Sequence, residues 1–297
     1  MTMSLPILSL GVSAGAPLAR LIVAVLLLIT LAGPLAAEEV GGPPPLPRTD
    51  GQDLPPPPAQ FGREEGQRIF DEHRQACDGP CVTPFGQVLG MADTAEARSN
   101  CTSTCLHRAF SFLDLETGTV AVSSQPSPQG GSQYLGITYQ CVAYARYWWL
   151  KNLGLTFGDV DNAHRIFYLT EGLNPRTGER IPLGRSVNGQ ARRPPQRGDL
   201  VIYAANRAHP DWRAVHVAVV VDVDLEQGLV ALAEENYDNR PWRNPQAFAR
   251  RIQLFEINDD FTLLDVPDDS RRSPRGGRII GWVYPARGSM AARGVGT

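Results

Sequence analysis

The stretch "VHVAVVVDVDLEQGLVALAEENY", Val215 to Tyr237, constrains this chain more than any other. Val215, Val217, Val219 and Val221 alternate with His216, Ala218 and Val220, the period of a β-strand. A second strand, Leu229 to Asn236, follows a turn around Asp224 to Gly228. Two strands joined by so short a turn must run antiparallel. If Asp224 pairs with Gly228, His216 lies opposite Asn236, Glu234 sits two residues away on the same face, and Glu235 points to the other face. "RGDLVIYAA", Arg197 to Ala205, reads as a turn into a further strand, with Asp199 as a structural turn residue. Taken alone, His216 is an ordinary hydrogen-bonded strand histidine. Beside a carboxylate and an amide it is also a candidate base.

The segment "GITYQCVAYARYWWLKNLG" has a different period. Val142, Ala145, Trp149 and Leu153 fall near one helical stripe, and Gly154 is placed to cap the helix C-terminus. Cys141 then sits in the first helical turn. Backbone N–H groups and the helix dipole favour a thiolate there and can hold an oxyanion. The alternative is a buried structural cysteine. A cysteine on a helix that packs against a sheet carrying His216, with Glu234 or Asn236 to orient the imidazole, is the arrangement of a cysteine hydrolase.

Four other cysteines lie upstream in two C-x-x-x-C pairs, Cys77 with Cys81 and Cys101 with Cys105. On two helices, such pairs would join in the nested pattern Cys77–Cys105 and Cys81–Cys101, although Gly79 and Pro80 make the first segment a poor helix interior. Four thiolates also make a zinc site in principle, but structural zinc sites use shorter C-x-x-C knuckles, so disulfides are the expectation and no metal is called for. Either reading leaves Cys141 unpartnered. An odd cysteine in an exported chain implies an intermolecular bond or a reactive thiol.

Export is expected from the first residues. Met1 to Arg20 has one basic residue and no acid, and Leu21 to Leu31 is an apolar run of signal-peptide length. Pro34 ends it, and Ala36 and Ala37 offer a cleavage site. Residues 1–37 therefore read as a signal peptide, with an uncleaved membrane anchor as the alternative; the mature chain has no transmembrane span unless the signal is retained. Residues 38–62, rich in Pro and Gly, read as an extended linker. Residues 63–285 read as one domain, roughly 220 residues and ample for a sizeable core, with a Cys-rich extension over 63–110. Residues 286–297 read as a frayed tail. The segment from Ala109 to Gln133, rich in Gly, Ser and Pro, reads as a lid over the thiol, and "NDDFTLLDVPDD", Asn258 to Asp269, as a solvated loop rather than a calcium site. The net charge of −3 comes without a basic patch, which argues against nucleic acid as a partner.

The fragments "YLGITYQCVAYAR", "FGDVDNAHRIFYL", "RGDLVIY", "VHVAVVVDV", "ALAEENY" and "IIGWVYP" follow one another in an order that resembles the CHAP amidase family, a branch of the papain-like, NlpC-type cysteine hydrolases. They are most like the amidase domain of the glutathionylspermidine synthetase/amidases, and "TPFGQVLGMA" is similar to that domain's entrance. The resemblance spans about Thr83 to Pro285. It implies an α+β fold of papain-like CHAP type, an antiparallel sheet packed against a helix that carries the nucleophilic cysteine at its N-terminus. It also implies Cys141 as nucleophile, His216 as general base and acid, and Glu234 as third member, with Asn236 in reserve. Gln140 is a candidate for the oxyanion hole. Arg146 matches an arginine of the family string Q-C-V-E-F-A-R, where it shapes the site's mouth or caps local structure. The glutamate of that string is Ala143 here.

These readings predict an exported, periplasmic or secreted amide hydrolase that needs no cofactor. Three functions compete: a peptidoglycan amidase or endopeptidase, a hydrolase of small peptide–polyamine amides such as glutathionylspermidine, and a catalytically silent wall-binding module. The absence of a C-x-x-C motif at Cys141 argues against thioredoxin-like chemistry.

Overall fold

A computed structural model describes residues 79–124, 131–204, 215–266 and 278–286. The expected signal peptide and linker, Cys77, and the tail after Ala286 lie outside the described residues. What is described is rich in sheet. It holds one α-helix, α1 (Cys141–Leu153), one 3-10 helix (Ala163–Tyr168), and three sheets. Among the described residues no helix is long and apolar enough to cross a membrane.

The largest sheet has nine strands. Its order is β13 (Asp260–Leu264), β12 (Arg250–Ile257), β11 (Leu229–Ala233), β10 (Val217–Asp224), β9 (Leu200–Tyr203), β14 (Ile279–Pro285), β8 (Arg180–Val187), β7 (Glu171–Leu173) and β6 (Thr156–Phe157). Every pairing in it is antiparallel. Both faces of its centre are buried, so β9 and the first half of β10 are apolar almost without break. Val217, Val219, Ala231 and Ala233 share one core with Tyr144, Ala145, Trp148 and Trp149 of α1. Ala218, Val220, Val230 and Leu232 join a second core with Ile252, Leu254 and Trp282.

The hairpin that opened the sequence reading forms with one difference. Asp224 pairs with Leu229 rather than Gly228, and a bulge at Val221 then shifts the ladder back, so that Val219 faces Ala233. The bulge restores the expected register up to Val219 and Ala233, where the pairing ends, short of His216 and Asn236. Another difference concerns the acidic stretch after Asn258. Asn258 and Asp259, both with positive φ, make the two-residue turn between β12 and β13, and Asp260–Leu264 is a paired strand, not a loop.

The segment read as a lid is also folded. Phe110–Asp114 forms β3 and Val120–Ser123 forms β4, and both belong to a three-stranded sheet with β5 (Ser132–Ile137). Phe110, Phe112 and Leu113 are buried there, which fixes this segment beside α1 instead of leaving it to swing. Residues 125–130 lie outside the described residues. A small hairpin, β1 (Val88–Ala92) and β2 (Ala95–Arg98), precedes this sheet.

Helix α1 is buried well beyond the expected stripe. Cys141, Ala143, Tyr144, Ala145, Arg146, Trp148, Trp149 and Leu150 are all buried, whereas Val142 and Leu153 are half-buried. Packing against β5 on one side and the large sheet on the other explains the difference. Gly154, at φ 67°, ends the helix, and its N–H bonds back to the Leu150 carbonyl. Arg146 is 1 % exposed and donates to the carbonyls of Phe157 (3.2 Å), Leu135 (2.9 Å) and Gly158 (2.7 Å). It therefore ties α1 to β5 and to the chain around β6 rather than lining a mouth. Arg146→Met would leave these buried acceptors without the guanidinium, and we expect a loss of about 2–5 kcal/mol of stability, read as a lower urea midpoint at constant m-value.

Candidate active site

His216 and Glu234 occupy matching positions at one end of the hairpin. His216 immediately precedes β10 and Glu234 immediately follows β11. His216 Nε2 lies 2.8 Å from Glu234 Oε2, with both side chains almost fully buried. Cys141 lies close enough to the imidazole to help raise the His216 pKa. Cys141 is the first residue of α1 and is 9 % exposed. It is the free cysteine among the described residues. No side chain caps the start of α1, so the first backbone N–H groups stay available around the sulfur.

Arg250, at the start of β12, completes the constellation and was not anticipated. Its Nε donates to Glu234 Oε1 at 2.6 Å, one guanidinium nitrogen reaches Asp265 at 2.6 Å, and the other reaches the Tyr203 hydroxyl at 3.0 Å. The guanidinium also stacks 3.9 Å from the Tyr237 ring centroid. A sequence signal existed. In "RRIQLFEI", Arg250 is in phase with the buried Ile252 and Leu254, so a strand would aim it inward, where a charge needs a carboxylate partner.

The electrostatics follow from these partners. Burial works against the carboxylate of Glu234, but the Arg250 charge and the contact with His216 outweigh it and lower its pKa to about 2. Burial likewise opposes a charged His216, yet the hydrogen bonds to Cys141 and Glu234 and their charges raise its pKa to about 9. The result favours an imidazolium held between a sulfur and a carboxylate.

Asn236 stands elsewhere. It adopts a left-handed φ of 57° just beyond β11, which turns it out of the strand expected to carry it. Its Nδ2 donates to Gln140 Oε1 at 2.7 Å, while Gln140 Nε2 donates to the Cys105 carbonyl at 3.1 Å. Asn236 thus positions the residue before Cys141 instead of contacting His216. Two further non-glycine residues with positive φ flank the site, Tyr139 (57°), two residues before Cys141, and Val215 (61°), next to His216. A β-branched residue rarely adopts this conformation. Asp199 accepts a bidentate pair from Arg193 and the Gln196 backbone N–H, consistent with a turn residue.

The Cys-rich segment joins the site from outside. Cys81 and Cys101 form a disulfide, and Cys105 is disulfide-bonded as well; Cys77, its partner in the nested expectation, lies outside the described residues. Asn100 Nδ2 donates to the Cys105 carbonyl at 2.5 Å and to Asn236 Oδ1 at 3.3 Å. Among the described residues no group of three or more His, Cys, Asp or Glu is arranged to hold a metal ion.

A free thiol at a helix start, an imidazole and a carboxylate are the groups that a cysteine hydrolase uses. In the comparisons with known proteins, residues 131–236 match the model of the CHAP domain. The chain is similar to the bifunctional glutathionylspermidine synthetase/amidase of Escherichia coli (strain K12), 31 % identical over 154 residues, 51 % of this chain and 22 % of the relative. The enzyme of the same name from Shigella flexneri matches equally. Trypanothione synthetase from Crithidia fasciculata is 30 % identical over 138 residues, 45 % of this chain and 20 % of the relative. The chain thus spans about a fifth of the length of these relatives. A solved structure of Ly7917 with the hydrolyzing product of MDP overlaps at 17 % identity and a TM-score of 0.26, covering 50 % of this chain and 54 % of that one. The CHAP match and the amidase homologues support a cysteine amidase or peptidase.

The buried pair links stability to pH. The raised pKa of His216 gives stabilisation that is complete below 6.5 and lost as pH rises through about 9; the lowered pKa of Glu234 gives stabilisation present above 4.5 and lost as pH falls through about 2. Denaturant melts should therefore show stability falling by roughly 2–3 kcal/mol on the alkaline side. His216→Gln should flatten that limb while leaving the acid limb in place.

Proposed function

We propose that this chain is an exported cysteine hydrolase of papain-like fold that cleaves amide bonds with Cys141, His216 and Glu234, acting on peptidoglycan as an amidase or endopeptidase. The observation that carries the reading is the buried His216–Glu234 pair, 2.8 Å apart, with Cys141 at the start of a helix and close enough for its charge to act on the imidazole. In the mechanism, the thiolate attacks the amide carbonyl and backbone N–H groups at the start of α1 hold the oxyanion. His216 passes its proton to the leaving amine as the C–N bond breaks, which leaves a thioester on Cys141. Water, deprotonated by His216, attacks that thioester; the carboxylic acid departs and the proton returns to the His216–Cys141 pair. Glu234 holds the imidazole and stabilises its charge throughout, and Arg250 keeps Glu234 ionised. Gln140, held by Asn236 and Cys105, shapes the approach to the oxyanion site. No step calls for a cofactor.

Peptidoglycan is favoured as substrate because the leader-like N-terminus and the disulfide both suit an oxidising space outside the cytoplasm, where the wall is the abundant amide polymer. A second reading, hydrolysis of a peptide–polyamine amide, draws on the relatives, which are named for glutathionylspermidine.

The test is to incubate the full mature protein with peptidoglycan and with glutathionylspermidine and to follow new amine and carboxyl ends by mass spectrometry. We expect cleavage that disappears in Cys141→Ala. Glu234→Gln should lower kcat by about 10²–10⁴-fold, because the imidazole loses its orientation and counter-charge. Cleavage that survives Cys141→Ala would overturn the assignment.

A further inference from the structure

We propose that Glu235 is a specificity-determining residue whose carboxyl group donates a hydrogen bond to an amide carbonyl of the substrate, in a cavity lined by chain neighbours of Cys141. This rests on the reading of the chain as an amide hydrolase. Glu235 is only 5 % exposed. Its Oε1 accepts the Arg98 backbone N–H at 2.6 Å, and its Oε2 has no hydrogen-bond partner among the described residues. The carboxyl lines a cavity of about 460 Å³, together with Arg98, Tyr139, Ala143, Tyr144 and Tyr147. Tyr139, Ala143 and Tyr144, all within three residues of Cys141 in the chain, line the cavity, and the charge of Cys141 acts on Glu235.

The chemistry of the pocket follows from what Glu235 lacks. Its neighbour Glu234 is bonded to the Arg250 guanidinium, but among the described residues no guanidinium is bonded to Glu235. Arg98, which lines the same cavity, spends its guanidinium on the Gly86 carbonyl and on Glu96. A buried carboxyl without a counter-ion keeps its proton, and burial raises this one's pKa well above 4.5. A neutral carboxyl has one O–H to give. Since Oε1 is occupied as an acceptor, the donor is Oε2–H, directed at whatever fills the cavity. The acceptor should be uncharged, because Cys141 and Glu96 both place negative charge nearby. An amide carbonyl seated among three tyrosines fits, and a carboxylate does not.

The groups that face Glu235 are Arg98 and Glu96 on β2, Tyr139 ahead of the helix, Cys141, Tyr144 and Tyr147 on α1, and Glu234 beside it. As pH rises and Glu235 ionises, the donor becomes a repelling acceptor. The experiment uses the full chain carrying Cys141→Ala, so that ligands bind without being cleaved. Glutathionylspermidine and a soluble muropeptide are titrated calorimetrically from about pH 6 to about pH 9, and the infrared carbonyl band of a neutral carboxylic acid is followed over the same range. Binding of at least one ligand should weaken about tenfold as that band disappears. Adding Glu235→Gln, which keeps both the acceptor for Arg98 and a donor toward the cavity, should remove the band and the pH dependence but retain the affinity. Adding Glu235→Met should weaken binding about tenfold at every pH, with thermal melting as the check on its fold. The inference is overturned if neither ligand binds, if Glu235→Gln leaves the pH dependence of binding unchanged, or if its infrared band persists. Binding by Cys141→Ala protein without cleavage by the parent would instead overturn the hydrolase reading and leave the pocket standing.

Discussion

The buried ion pair between Glu234 and Arg250 is the interaction on which the site depends. A carboxylate sealed in a protein is costly and ordinarily protonates. Glu235, one residue on, shows that outcome: equally buried but, among the described residues, bonded only to a backbone N–H, its carboxyl is pushed toward the neutral form. Glu234 escapes because Arg250 meets it at 2.6 Å and is itself anchored by Asp265 and Tyr203. Two adjacent glutamates are therefore pushed in opposite directions, Glu234 toward the anion that favours a charged His216 and Glu235 toward the neutral form. Environments that push neighbouring groups apart in this way are how a single fold assigns different roles to identical side chains.

A second layer of control acts through amides. Asn100, Asn236, Asn239 and Gln140 form a chain of side-chain hydrogen bonds that ends on the Cys105 carbonyl. The Cys81–Cys101 bridge closes a loop that includes Asn100, and Cys105 follows it four residues on. Because Gln140 immediately precedes Cys141, the disulfide-bound segment and the approach to the sulfur share one network. Such networks hold a single arrangement only when their members are satisfied together.

Much of this arrangement was legible in the sequence, for reasons that are local. Alternating valines mark β10, and a glycine after an aromatic helical run marks the end of α1. The contact of His216 with Glu234 follows from counting along a hairpin, although the count succeeded through compensation: the turn is one residue longer than expected, and the bulge at Val221 cancels it. Bulges leave no clear trace in composition, so that register was not secured by pattern alone. Arg250 was missed because its partner lies 16 residues away on a neighbouring strand, beyond any local period. In the segment from Ala109 to Gln133, Gly, Ser and Pro point to a loop, whereas Phe110, Phe112 and Leu113 bury β3 against β5.

The placement of the reactive groups has a common logic. Cys141 begins a helix, His216 precedes a strand and Glu234 follows one. Within β10 or β11 these side chains would be sealed among the valines and leucines of the two cores. At the element ends the backbone can break its period, and it does so in the left-handed conformations of Tyr139, Val215 and Asn236. Conformations of this kind cost free energy and persist only when the surrounding structure over-determines them. Here the surroundings are rigid: the large sheet and the buried face of α1 supply the fixed frame, so the bends at their ends can aim three side chains at one point without loosening either core.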